Sequence, residues 1–274
     1  MSLVISAKDV MALRQRTGMG MMECKAALNE ASGDVEQAVE ILRKAAKGKM
    51  DERTDRAAAE GALALARSAD GRSAVLIELN TETDFVARNE AFIAAAEKVA
   101  RHALAAPDGE IAIDDTIGQT IDEIRITTKE NASFARGVKV SASASGQIGS
   151  YVHHNRKVGA LVVVEGARLD DESLSGLAQH VVAAVPAPQA IDESGLPADK
   201  VAAKRDEFTE EAKASGKPAE IAEKMSAGKL RKWVDENTLL GQPYVKDMTG
   251  KTTVRQVLKG ATVTKFVRYQ VGVR

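Results

Sequence analysis

Residues 78–89 read ELNTETDFVARN and join two segments of different periodicity. The residues before them, AVLIEL (74–79), are branched and apolar like a buried strand, whereas EAFIAAAEKVARHAL (90–104) repeats its apolar residues at helical spacing. A link from strand to helix needs only polar turn residues. This one carries Phe85, one of five phenylalanines in the chain, directly behind Asp84.

The same supersecondary unit occurs twice. GALALARSADGRSAVLIELN (61–80) is a strand, an Asp-Gly turn and a second strand, leading into a helix from Asn89 to Ala106. IGSYVHHNRKVGALVVVEG (148–166) is again a hairpin and leads into DESLSGLAQHVVAAV (171–185). Two copies predict an α+β fold with a two-lobed core of antiparallel sheets and helices. The second copy links strand to helix with ARLDDES (167–173), plain turn chemistry, so an aromatic at this point is not a demand of the fold.

Outward from this core, residues 1–52 read as a three-helix module. Ser6 with Asp9 caps SAKDVMALRQR, MMECKAALNEAS ends at Gly33, and Asp34 with Gln37 caps DVEQAVEILRKAAK. Lys44 to Glu60 reads as a partly helical linker. The first lobe is assigned to residues 53–145 and the first part of the second lobe to 146–185. Pro186, Pro188 and Pro197 then mark a break. The amphipathic segments 199–216 and 217–236 form a helical hairpin, whose insertion is bounded at 186–228. Residues 229–274 complete the second lobe with a short helix, TVRQVLKG, and a last strand, VTKFVRYQVG.

At 274 residues, with 38 basic and 39 acidic side chains, the chain has a net charge of -1. No whole-molecule field favours nucleic acid or an anionic membrane, so no direct nucleic-acid or membrane partner is expected. The single cysteine, Cys24, cannot form an internal disulfide, and MSLVISAKDV lacks the long apolar run of a signal peptide; a cytoplasmic protein is expected.

Chemistry is sparse. There is no GxxxxGK[ST], and TGMGMME (17–23) has Glu23 where a third glycine would be needed and no strand before it. His102, His153, His154 and His180 form no helical metal-ligand spacing, and adjacent His153 and His154 on a strand would point to opposite faces. No metal, cofactor or catalytic group is expected. Glu82 and Asp84 are a carboxylate pair that a hydrolase could use, but no other acid cluster or sugar platform supports it. Cys24 lies on an apolar helix face and reads as packing. Phe85 is left with two readings: folded back onto the core, as in an adaptor that binds through its N-terminal bundle, or exposed for a partner.

Five stretches together carry a resemblance over essentially the whole length: LRQRTGMGMMECKAAL (13–28), ELNTETDFVA (78–87), GKPAEIAEKM (216–225), GQPYVKD (241–247) and FVRYQVG (266–272). In this order they resemble bacterial elongation factor Ts. The resemblance implies that the N-terminal module is similar to a ubiquitin-associated domain and that the inserted hairpin is a coiled-coil or dimerisation element capable of self-association. It implies guanine-nucleotide exchange on elongation factor Tu, in its GDP-bound and nucleotide-free states, by a chain with no reaction of its own. Thr83, Asp84, Phe85 and Val86 match the stretch that wedges beside the nucleotide and magnesium. Arg14, Met21 and Met22 match contacts from the N-terminal module, and His153 lies in the second lobe expected to hold the GTPase's third domain.

Overall fold

The computed structural model describes residues 5–51 and 56–273. Helices α1 (Ala7–Thr17), α2 (Met21–Glu30) and α3 (Val35–Asp51) form the N-terminal module. Ser6 Oγ accepts from the Asp9 N–H at 3.2 Å, and Asp34 Oδ1 accepts from the Gln37 N–H at 2.9 Å, so both expected caps form. Gly18, at φ +67°, ends α1 in the left-handed region that a side chain resists. Leu13, Cys24, Leu28, Ala38 and Leu42 fill the small core; Cys24 is fully buried and packs as expected. Helix α3 extends through the first half of the expected linker, and residues 52–55, with the boundary at 52/53, lie outside the described residues.

The first lobe contains β1 (Glu60–Arg67), β2 (Ser73–Thr81), a one-turn helix α4 (Asp84–Ala87), α5 (Glu90–His102), a short β3 (Gly109–Glu110), α6 (Asp115–Thr128) and β4 (Ala132–Ser141). Its sheet is antiparallel in the order β1-β2-β4-β3. The second lobe has β5 (Gln147–Val152), β6 (Val158–Gly166), α7 (Asp171–Ala183) and, beyond the hairpin, α10 (Val254–Val257) and β7 (Ala261–Gln270), with β6 central.

Side-chain alternation then stacks the layers. From β2, Val75, Ile77 and Leu79 pack with Phe92, Val99, Ile117, Ile121 and Ile124 of α5 and α6. The other face of β2, Ala74 and Leu76, meets Leu63, Val138 and Val140 and, from the second sheet, Ile148, Leu161 and Val163. Beyond them Ala160, Val162 and Val164 pack against Leu174, Leu177 and Val181 of α7. The order is helix, sheet, sheet, helix, and the two lobes share one central apolar layer. Strands buried on both faces explain why AVLIEL and GALVVVEG read as apolar runs rather than alternating patterns.

The N-terminal module sits on α6: Ile126 packs against its core, and Arg43 pairs with Glu123 at 3.2 Å. Helices α8 (Ala198–Ala214) and α9 (Ala219–Asn237) form the expected hairpin. The insertion bound at residue 228 is corrected, because it falls inside α9; Gly228 is tolerated there and the helix continues to Asn237. The base is pinned where the Gln189 N–H donates to the Asn237 carbonyl (2.9 Å) and Ala190 bridges Thr238.

GQPYVKD has a structural role at this junction. His180 is fully buried on α7; its Nδ1 accepts from the Val245 N–H (3.2 Å), which leaves Nε2–H to donate to Gln242 Oε1 (2.9 Å). Gln242 Nε2 in turn donates to the carbonyls of Pro186 and Glu236, and Tyr244 stacks on His180. Burial depresses the His180 pKa, the hydrogen bond to Gln242 offsetting part of the effect. Among the described residues no helix is long and apolar enough to cross a membrane.

Candidate partner-binding surface

Thr83 is in extended conformation and caps α4, its Oγ1 accepting from the Val86 N–H at 3.4 Å. The single turn that follows sorts its side chains sharply. Ala87 is buried, Val86 packs half-buried against the first-lobe core, and Phe85 is 84% exposed. The structure decides between the two readings of Phe85: it is not folded onto the core. Asp84 pairs with Arg88 one turn later, at 3.1 Å, and remains open to solvent.

A helix of four residues cannot hold its own direction. The corner between α6 and β4 supplies the missing support. The Glu130 carboxylate accepts from Thr83 Oγ1 (2.7 Å), the Thr83 N–H (3.1 Å) and Thr81 Oγ1 (3.0 Å). Glu82 reciprocates, accepting from the Asn131 N–H at 2.7 Å and pairing with Arg56 at 3.4 Å. Each turn thus lends a carboxylate to the other's backbone. Glu82 and Asp84 are committed to different partners, Glu82 inward and Asp84 outward, which removes the geometric basis for a catalytic carboxylate pair. Sequence reasoning passed over Glu130, 47 residues from Thr83, and no local pattern links the two.

On the N-terminal module Met21 and Met22 are 47% and 76% exposed at the start of α2. Two adjacent methionines kept out of a small core are soft, adaptable contact groups. Arg14 is exposed and, among the described residues, no ion pair or side-chain hydrogen bond engages it, whereas Arg16 is held by Glu36 through two bonds of 2.6 and 2.8 Å. Met11, 54% exposed, was missed; it lies three residues before Arg14 and therefore on the same side of α1, a spacing that could have found it.

His153 requires a correction. It lies in the turn after β5, not on a strand, so His153 and His154 do not point apart: their ring centroids are 4.1 Å apart. His153 is half-buried, with Tyr151 edge-on at 6.4 Å, and His154 is exposed. The same turn is tied to α5 by Arg156 and Glu97 at 2.7 Å. Among the described residues no group of three or more His, Cys, Asp or Glu side chains is placed to hold a metal ion.

Comparison with known proteins identifies the family. The family model described as Elongation factor TS matches residues 82–273. Elongation factor Ts of Alkalilimnicola ehrlichii is 41% identical, with 98% of this chain and 93% of the relative aligned. Those of Methylococcus capsulatus and Legionella pneumophila are each 42% identical over 98% of this chain and 92% of theirs. Identity at this level extends across nearly the full length of both sequences, and the chain belongs to the elongation factor Ts family, among the elongation factors of protein synthesis.

Proposed function

We propose that the chain is a guanine-nucleotide exchange factor for elongation factor Tu, releasing GDP by inserting the Thr83–Val86 turn beside the nucleotide and its magnesium. The observation that carries this reading is Phe85: a large apolar side chain, 84% exposed, on a turn clasped from two sides. A rigid support fixes its direction while leaving it free to enter a cleft. Asp84 beside it brings a carboxylate that competes for groups around a bound magnesium.

Exchange of this kind is negative coupling between two ligands. Whatever factor by which the chain weakens nucleotide binding, nucleotide weakens the chain's binding equally. The chain performs no reaction of its own; it binds the GDP-bound GTPase, stabilises the nucleotide-free form and yields to incoming GTP. One side chain cannot oppose a tightly held nucleotide over several decades, since burying a Phe contributes about 2–3 kcal/mol. Arg14, Met21 and Met22 on the module and the His153 turn on the second lobe supply further contact area in this reading, with the hairpin left free for self-association. The test is release of fluorescent GDP from elongation factor Tu. Acceleration that rises with chain concentration and saturates supports the proposal, and GDP left undisturbed at high concentration refutes it.

A further inference from the structure

Helix α4 is one turn long, its cap is Thr83, and Thr83 is held by a residue from the corner between α6 and β4. We infer that Glu130 is the positioning residue of the exchange turn: it sets the direction in which Phe85 projects without itself touching the nucleotide. The inference rests on the exchange reading above and adds to it a residue outside the Thr83–Val86 stretch.

Three features support it. The first is valence. An ionised carboxylate accepts on both oxygens, and Glu130 uses them for three donors, two from Thr83 and one from Thr81. Thr81 ends β2 and Thr83 begins α4, so a single group spans the joint between a rigid strand and the turn. The second is the construction of the corner. Lys129 closes α6 in the left-handed region, φ +58°, which L side chains adopt infrequently, its N–H donating to the Arg125 carbonyl, so the helix stops one residue before Glu130. The third is the footing of α6, whose Ile117, Ile121 and Ile124 are buried in the first-lobe core. The support for Phe85 therefore runs from that core through α6 to Glu130 and the Thr83 cap.

Substitution separates the parts. In Glu130→Gln the amide has one accepting oxygen, and its NH2 can pair with a threonine hydroxyl turned to accept, but not with the Thr83 N–H. Glu130→Ala leaves all three donors without a protein acceptor. The Phe85 side chain and both Met contacts are untouched, so a positioning role affects the step in which the turn must be ordered inside the cleft more than it affects association. Ordering one side chain on binding slows that step by about two- to tenfold.

The experiment uses the full chain in three forms, parent, Glu130→Gln and Glu130→Ala, with two readouts. The first, amide hydrogen exchange in the free chain, is expected to show the Thr83 and Val86 amides exchanging faster in the order parent, Gln, Ala, with the β2 amides of Val75 to Leu79 unchanged. The second, labelled-GDP release from elongation factor Tu, is expected to show a saturating rate reduced about two- to tenfold in Glu130→Ala and less in Glu130→Gln, with the half-saturating concentration little changed. Unchanged protection at Thr83 overturns the inference whatever the partner does, as does faster amide exchange with a saturating rate equal to the parent's. A parent chain that releases no GDP refutes the exchange reading, and this inference with it. If Glu130→Ala fails to fold, the near-isosteric Glu130→Gln carries both readouts.

Discussion

Phe85 and Phe92 are the same residue type seven positions apart, one 84% exposed on α4 and the other fully buried on the core face of α5, and replacing each by alanine gives an internally controlled test. A phenylalanine buries about 150–250 Å² when fully covered, so the sixth of Phe85 that is covered contributes less than about 1 kcal/mol to folding. Alanine is the better helix former by roughly 0.5 kcal/mol, which offsets most of that loss. Phe85→Ala is therefore expected to shift the melting temperature by no more than about 2 °C, whereas Phe92→Ala, costing about 3–5 kcal/mol, should lower it by roughly 6–20 °C. The effect on partner action is reversed. Transfer of the exposed five-sixths of Phe85 into a protein cleft sets a ceiling of about 2–3 kcal/mol, and ordering costs leave a slowing of saturating GDP release in Phe85→Ala of several-fold to about tenfold. Differential scanning calorimetry and stopped-flow release of labelled GDP read the two quantities independently. A melting temperature that falls as far as that of Phe92→Ala, or a saturating release rate equal to the parent's, refutes the wedge.

Further expectations follow from other parts of the molecule. Met21→Ala with Met22→Ala is expected to raise the half-saturating concentration for elongation factor Tu by about tenfold while sparing the saturating release rate and the melting temperature; an unchanged binding titration would sink the assignment. Joining Arg205 to Lys229 through a short glycine linker removes the hairpin tip but keeps Val201, Leu230, Trp233 and Val234 packed at its base, so native circular dichroism and GDP release should persist; loss of secondary structure outside the hairpin would show that the tip supports the second lobe. His180 is held neutral by burial, so the unfolded chain binds the proton more readily. Stability is then fully present above the unfolded pKa of about 6.5 and is lost as pH falls from there toward the depressed folded value, by up to about 1.4 kcal/mol per pH unit. His180→Gln should flatten this part of a denaturation series run from pH 7.5 to 5, and an equal slope in both proteins would contradict the buried neutral imidazole.

What could be read from the sequence was what is encoded locally. Caps at Ser6 and Asp34, the Asp-Gly turn and the two hairpin-plus-helix units all depend on residues within a few positions of one another, and each forms. Three elements between Ala106 and Gln147, the two-residue β3, α6 and β4, went unassigned. Strand β4 pairs with β2 across a bulge at Glu78/Leu79, and its side chains are mostly half-buried around Gly137 and Arg136, so it shows neither clean alternation nor an apolar run. Helix α6 carries Ile117, Ile121 and Ile124 at helical spacing, but Gly118 and a β-branched C-terminal turn weaken the signal. The candidate site divides in the same way. Phe85 stood out because its link did not need it, whereas Glu130 depends on a contact across the fold that no window of sequence contains. The turn around His153 was misread because the strand ends one residue earlier than the alternation suggests.

The position of the hairpin insertion also bears on how the chain is made. Strand β6 is the centre of its sheet, yet β7 begins about 95 residues after β6 ends, with the hairpin between them. At about 5–20 residues per second, a ribosome delivers β7 some five to twenty seconds after β6, and during that interval an apolar strand has one unpaired edge, a template for wrong partners. Helices α8 and α9 need no distant residue to form, and once they close, the bond from Gln189 to Asn237 brings the two ends of the insertion together. This roughly halves the span that β7 must bridge, lowering the closure cost by about 0.6 kcal/mol before the last strand has left the tunnel. The nascent hairpin acts as a splint, and a variant in which α8 and α9 form poorly should show its defect in yield during synthesis rather than in the melting temperature of the protein that survives.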